Sequence, residues 1–366
     1  MVERLVAAAA LALAVAAAGC TASERRPAPD RDAGVPRYAH IVVIVEENQD
    51  QDDIVDLAVA PNLAGLAARY GDAARFFAES HPSEPNYVAL LGGDTFGIRD
   101  DDGYYCHAGM TDPACANADE AGYVDHTLTA PNLIDQLGAA GLSWKGYYES
   151  LPAPGSLAVI AGDPKLNGGT RKTALYAAKH SGLVNFRSVQ QDARRAEHIV
   201  GFDQLDADLA ADRLPNFALI VPNQCNDMHG LSGPNLPTDC SGRDPAALIG
   251  RGDKAAGALV ARLQATSAWR SPGNMAIVIT FDEGAEGGPE GCCGSPPNAG
   301  GHIPTIVITN HGPRGLKDAT PYNHYSLLRT IEDAFGIGTH LRNAAATSQG
   351  VVAMTPLFAT PRQASR

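Results

Sequence analysis

HIVVIVEEN, residues 40–48, places five consecutive β-branched residues between a histidine and the polar triplet Glu46-Glu47-Asn48. Branching at Cβ stiffens χ1 and favours extended backbone. A half-exposed strand would alternate apolar and polar residues, and this one does not. An unbroken apolar run of this length reads as a strand buried on both faces, which is the pattern of a parallel sheet covered by helices.

The rest of the chain repeats the theme. NFALIVPN (216–223), MAIVITFDEG (275–284) and IPTIVIT (303–309) read as further buried strands, with others expected around ARFFAES (73–79) and LSWKGYYE (142–149). Helical patterns fall between them at 61–71, 131–141, 244–266 and 322–336, and another helix is expected to follow Ser83. Strands alternating with helices predict an α/β fold with a mostly parallel central sheet sandwiched by helices. Ligands of such sheets bind outside the carboxyl ends of the strands. Those ends carry Glu46-Glu47-Asn48, the CNDMHG segment after Asn223, and Asp282-Glu283-Gly284.

Composition narrows the function. The chain has 366 residues, 45% hydrophobic, which is enough for a substantial core, and a formal net charge of −13. Nucleic-acid backbone binders need a basic footprint, so nucleic acid is excluded as a structural partner. The acidic balance also disfavours electrostatic attachment to anionic lipid. LVAAAALALAVAAA (5–18) has the length of a signal-peptide core and is too short to span a bilayer comfortably. Gly19-Cys20 behind it resembles a bacterial lipoprotein cleavage site, with Cys20 as a lipidated N-terminus; ordinary signal cleavage in the same run is the alternative. Either way the chain is expected to be exported, to the cell surface or to the extracellular or periplasmic space, with any membrane contact made only through a lipid on Cys20. Residues 21–37 are polar and proline-rich and read as a flexible tether. The catalytic domain is expected over 38–345 and a C-terminal tail over 346–366.

Apart from Cys20 there are six cysteines, an even number in an exported chain, which reads as disulfides. Cys106–Cys115 and Cys225–Cys240 would each close one short loop, while the partners of the adjacent Cys292 and Cys293 stay open.

HPSEPNYVALLGG (81–93) flanks Ser83 with Pro82 and Pro85 at the start of an apolar stretch. Ser83 can be read as a helix N-cap. It can also be read as a nucleophile held at the positive end of a helix and facing an anion. Glu47, Asn48, Asp282 and Glu283 are oxygen donors of the kind that hard divalent cations prefer. A cation beside Ser83 would favour the alkoxide and polarise a phosphoryl oxygen. Asn86, one turn on, could donate its amide to a non-bridging oxygen, and backbone N–H groups at the helix start could join it. His229 could hold phosphate or act as a general acid. His324, before the last helix, is the second candidate histidine, ahead of His302. Together these groups describe metal-assisted phosphoryl transfer through a phosphoserine.

In this order HIVVIVEEN, HPSEPNYVALLGGD, PNQCNDMHG, ITFDEG, GGHIPTIVIT and YNHYSLLRTIEDAFGI resemble the bacterial and fungal phosphoesterase family of acid phosphatases and phospholipases C, part of the alkaline phosphatase superfamily. The resemblance runs from about residue 38 to 340. It implies an alkaline-phosphatase-like fold and one divalent metal ion (Ca²⁺, Mg²⁺, Mn²⁺ or Zn²⁺) held by Glu47, Asn48, Asp282 and Glu283. It also implies Ser83 as nucleophile with Asn86 following, and His229 and His324 near the phosphate. After Glu-Asn, where many members carry an aromatic and glycine-containing stretch, this chain has QDQDDI, which bears on the pocket wall. The leading expectation is an exported phosphomonoesterase acting on a small phosphorylated substrate. A phospholipase C-like phosphodiesterase is the alternative, and a non-catalytic phosphate-binding lipoprotein a third. An esterase pairing Ser83 with a histidine base is disfavoured, because no GxSxG elbow is present.

Overall fold

The structure is a computed structural model that describes residues 34–55, 59–162, 170, 173–234, 236–285, 290–297 and 299–359. The signal-peptide region, Cys20 and most of the tether lie outside the described residues. Eight strands form the main sheet: β1 (His40–Glu46), β2 (Gly71–Ala73), β3 (Trp144–Tyr148), β4 (Ile199–Val200), β5 (Phe217–Val221), β6 (Met275–Phe281), β7 (Thr305–Thr309) and β8 (Leu316–Asp318). Their spatial order is β8-β2-β7-β6-β1-β5-β3-β4, and only β7 runs against the others. β1 lies in the middle, parallel to both β5 and β6, with Ile41 through Val45 at 0–1% exposure. Burying each such side chain contributes about 1.5–3 kcal/mol, which makes this run the natural centre of the core.

Four helices matter for the site or its support: α1 (Pro61–Arg69), α2 (Glu84–Gly92), α3 (Pro245–Gln264) and α4 (His324–Phe335). Each falls within a segment expected to be helical. α2 is buried along its whole length, which explains why its sequence carries no amphipathic period. The expected strand at 73–79 divides instead. Residues 71–73 join the main sheet, and Phe76–Phe77 joins a separate three-stranded sheet with 302–303 and 322–323.

Cys106–Cys115 and Cys225–Cys240 are bonded as their spacing suggested, and Cys292 pairs with Cys293. Residues 346–358, expected as part of a tail, pack into the body. Val351, Met354, Leu357 and Phe358 are buried, and Tyr38 Oη donates to the Phe358 carbonyl at 2.6 Å. The apolar content of that segment outweighs its terminal position. Among the described residues no helix is long and apolar enough to cross a membrane.

Behind the start of α2 lies a buried ion cluster. His126 Nδ1 is 2.9 Å from Glu84 Oε1, and its Nε2 is 3.3 Å from Asp100 Oδ1. Burial works against the charged ring, but the bonds from Asp100 and Glu84 outweigh it and hold His126 up at about 10. Burial pushes the Glu84 carboxyl up to about 7, against the pull of His126. Both groups therefore bind protons more tightly folded than unfolded, where histidine titrates near 6.5. The contribution of Glu84 is complete below its unfolded value of about 4.3 and gone above about 7, whereas that of His126 is complete below about 6.5 and is lost as the pH rises towards about 10. Thermal melts should show Tm falling across this window, and His126→Gln should lower Tm at pH 6 and flatten the fall. An unchanged slope in the variant would remove His126 as its source.

Candidate active site

Three neighbouring strands deliver acidic residues to one edge of the sheet. β1 runs directly into Glu47. β6, in register with β1 up to the pair Glu46–Phe281, continues into Asp282 and Glu283, with the Asp282 N–H donating to the Glu46 carbonyl at 3.0 Å. The loop after β5 brings in Asp227, whose carbonyl accepts the Glu47 N–H at 2.8 Å. Glu47, Asp227 and Asp282 are essentially fully buried and Glu283 nearly so.

Ser83 faces this cluster from the start of α2. Its backbone is already helical, with φ −57° and ψ −53°, and its side chain caps nothing. Oγ instead lies 3.2 Å from Glu47 Oε2 and 3.1 Å from Glu283 Oε1. One hydroxyl proton cannot serve two carboxylates fully, so these oxygens share too few protons for their number. Asn48 adopts φ 57°, a left-handed conformation uncommon outside glycine. Its N–H points to Asp282 Oδ1 at 3.3 Å, and its side-chain amide lies 3.4 Å from Glu47 Oε2. The four oxygen donors expected beside Ser83, Glu47, Asn48, Asp282 and Glu283, thus lie together around it.

Three further groups were not singled out in the sequence. Tyr87 Oη donates to Glu47 Oε1 at 2.6 Å from one turn along α2. His81 Nδ1 is 2.5 Å from Glu283 Oε2 and orients that carboxylate. His180 Nε2 is 3.4 Å from Glu47 Oε1, and its ring stacks on Tyr87. Gly182 permits that approach: its φ is +63°, and a Cβ there would sit 2.8 Å from the Tyr87 carbonyl oxygen. His81 stands two residues before Ser83, and Tyr87 one turn after it, so proximity was the only available signal. His180 lies in AAKHSG with no distinguishing context.

Three placements differ from expectation. Asn86 accepts the Glu79 and Ser80 N–H groups at 3.0 Å each and donates to the Ser80 and Pro82 carbonyls, so it braces the loop that carries Ser83 and faces no anion. The Glu84 N–H at the helix start is likewise taken, by Asp101 Oδ1 at 3.1 Å. His324 is buried with Nδ1 2.5 Å from Glu79 Oε2 and Nε2 2.9 Å from the Phe281 carbonyl. Burial disfavours its charged form, but Glu79 more than offsets this, and the ring keeps its proton above the usual histidine range. It ties α4 to the end of β6 and has no nitrogen left for substrate. His302 stacks on Phe77 and bonds to the Ala74 carbonyl, a structural role as well.

His229 does sit at the cluster, though not as a proton donor. Its Nδ1 donates to the Gly230 carbonyl at 2.7 Å, which leaves the Nε2 lone pair facing Lys179 Nζ at 3.4 Å. Burial and the nearby Lys179 push it down to about 4, so the ring is neutral at ordinary pH. Burial, then Lys179, also holds His180 well below the usual range. Burial and the like charges of Asp282 and Asp227 push Glu47 far up, and burial with Glu283 raises Asp282 to about 7.

The same residues pass a test for a cation. Ligand atoms of Glu47, His180 and His229 lie within 4.8 Å of one another. His180 Nε2, Asp227 Oδ2 and Asp282 Oδ2 are buried without a hydrogen bond among the described residues. Crowded, part-protonated carboxylates with orphaned lone pairs are what a divalent ion would satisfy. Glu47 joins an oxygen-donor side (Asn48, Ser83, Asp282, Glu283) to an imidazole side (His180, His229) that the sequence had not suggested as ligands.

An eight-stranded, mostly parallel α/β sheet with helices around it and a serine facing buried acids at its carboxyl edge is the arrangement of the alkaline-phosphatase-like fold. Solved structures agree on the fold. An alkaline phosphatase superfamily protein from Vibrio parahaemolyticus matches with TM-score 0.51 at 13% identity, covering 93% of this chain and 73% of that one. A structure from Bacteroides thetaiotaomicron, described under the metabolism of multiple glycosaminoglycans, matches with TM-score 0.54 at 11% identity, covering 89% of this chain and 83% of that one. Residues 57–338 match the model of the Phosphoesterase family, and the chain belongs to that family of phosphoric ester hydrolases. It is 32% identical over 305 residues to a phosphatidylinositol-3-phosphatase of Mycobacterium tuberculosis, covering 83% of this chain and 79% of that protein. It is 29% identical over 287 residues to an acid phosphatase of Aspergillus fumigatus, covering 78% of this chain but only 53% of the fungal enzyme.

Proposed function

We propose that this chain is an exported, divalent-metal-dependent phosphomonoesterase that works through a phosphoserine at Ser83. One observation carries the reading: a serine at a helix start whose hydroxyl leaves its capping role and lies against two buried carboxylates. The relatives named phosphatases favour a monoester substrate over the phospholipase C-like alternative.

Glu47, Asn48, Asp282 and Glu283, with His180 and His229 from the other side, are the residues that would hold the metal. When bound, the ion supplies charge neutralisation for the phosphoryl group and favours the serine alkoxide. Ser83 Oγ attacks phosphorus in line with the leaving oxygen. Its proton passes to one of the two carboxylates that its hydroxyl faces, Glu47 or Glu283. The P–O bond to the alcohol breaks, and the leaving oxygen takes up a proton from solvent. Water then cleaves the phosphoserine, releasing phosphate and restoring the hydroxyl. Asn86 and Tyr87 serve by position, the first fixing the loop before Ser83 and the second aiming Glu47.

Turnover of p-nitrophenyl phosphate should be lost on dialysis against EDTA and restored by Mn²⁺, Zn²⁺, Mg²⁺ or Ca²⁺. Turnover that survives chelation would sink the metal-dependent reading. Faster turnover of bis(p-nitrophenyl) phosphate or phosphatidylcholine would move the substrate to the diester class.

A further inference from the structure

Beside the Ser83 cluster, past His229, lies a cavity of about 230 Å³. Val159, Ile160 and Ala177 form one wall, and Asp101, Lys179 and His229 line the rest together with other polar groups. His229 belongs to both spaces, because its ring also approaches Glu47 and His180. Lys179 stands at the junction, with Nζ 2.9 Å from Asp101 Oδ2 and 3.4 Å from His229 Nε2. Asp101 in turn holds the first N–H of α2 through its other oxygen, so this cation is tied to the helix that carries Ser83. A phosphate beside a cluster dense with carboxylates is favoured by positive charge next to it, and Lys179 places one between the cluster and the cavity.

We infer that this cavity is the subsite for the alcohol portion of the ester and that Lys179, at its junction with the acidic cluster, contacts the phosphoryl oxygens. The inference rests on the phosphomonoesterase reading for its substrate and extends it to the kind of alcohol. At about 230 Å³ the space is smaller than the roughly 300–1,000 Å³ of drug-sized sites. It has room for one ring, not for a pair of acyl chains. An aliphatic wall facing a polar, cation-bearing side suits a single-ring alcohol, aryl or polyol, laid flat against Val159 and Ile160 with its oxygen towards Lys179.

The test is equilibrium binding, with Mn²⁺ present, of inorganic phosphate and of p-nitrobenzylphosphonate, an inert ring-bearing analogue. The analogue should bind more tightly than phosphate. Ala177→Phe fills the cavity from its wall, and Ile160→Trp does so from a half-buried position on the paired strand. Each should weaken the analogue by about 10-fold or more and leave phosphate within about 2-fold, the contrast expected when one of two adjoining subsites is blocked. Lys179→Met should weaken both ligands. If either filled variant folds and binds the analogue as the wild type does, or loses phosphate equally, the subsite is not there. Unchanged phosphate affinity in Lys179→Met would overturn the role given to that residue. Absent turnover of p-nitrophenyl phosphate by wild type, with analogue binding and its loss intact, would instead overturn the catalytic reading and spare the subsite.

Discussion

Ser83→Ala is expected to lower kcat on p-nitrophenyl phosphate by on the order of 10⁴-fold, the scale on which removal of a nucleophile acts, with little change in stability. The second half of that expectation separates the two readings of the residue. A serine that truly capped α2 would cost about 1 kcal/mol when replaced by alanine. Here the side chain accepts no helix N–H, and Oγ is committed to Glu47 and Glu283. Removing it deletes a hydroxyl from an over-crowded acidic cluster, so urea unfolding should give a nearly unchanged midpoint. A variant that loses stability by about 1 kcal/mol and keeps its turnover would return Ser83 to the role of a cap. Phosphate binding by the inactive variant would show that the rest of the site survives.

Asp282→Asn should have two opposite effects. Burial and Glu283 raise this carboxyl from its ordinary value to about 7. A raised acid binds its proton more tightly when folded. The native state therefore carries an ionisation cost that is present above pH 7 and disappears as the pH falls towards the unfolded value near 3.9. Asparagine imitates the protonated form. In EDTA at pH 8 the variant should melt above the wild type, and the two should converge on acidification. With a divalent ion the order should invert: the wild type gains stability by mass action from binding, and the variant, lacking a ligand charge, gains far less. Turnover should fall by about 10³-fold, since the ion provides both charge neutralisation and nucleophile activation. An equal metal-induced rise in Tm for both proteins would remove Asp282 from the ligand set.

What could be read in the chain, and what could not, follows from the range over which each signal acts. The buried strands and their helices were legible because burial on both faces leaves a local mark, an unbroken β-branched run, that no distant residue needs to complete. Glu47, Asp282 and Glu283 were legible for a related reason: parallel strands gather their carboxyl ends, so residues just past those ends must be neighbours. Asn86 and His324 were misjudged because residue type and position do not reveal which partner takes an amide or a ring. Glu79 claims His324, and the backbone of residues 79–82 claims Asn86. His180 and Lys179 had no local mark at all, being brought to Glu47 and His229 by a turn whose glycine lets it pass close to α2.

The sequence by itself therefore determined the sheet, the acids at its edge and the serine opposite them, since these depend on periodicity and on where strands end. The tertiary structure alone decided which histidines face the acids, that Ser83 caps nothing, and that Lys179 stands between the cluster and its cavity. Those facts depend on hydrogen-bond partners tens to hundreds of residues away, and a side chain with two competing partners is assigned only when the fold brings one of them within reach.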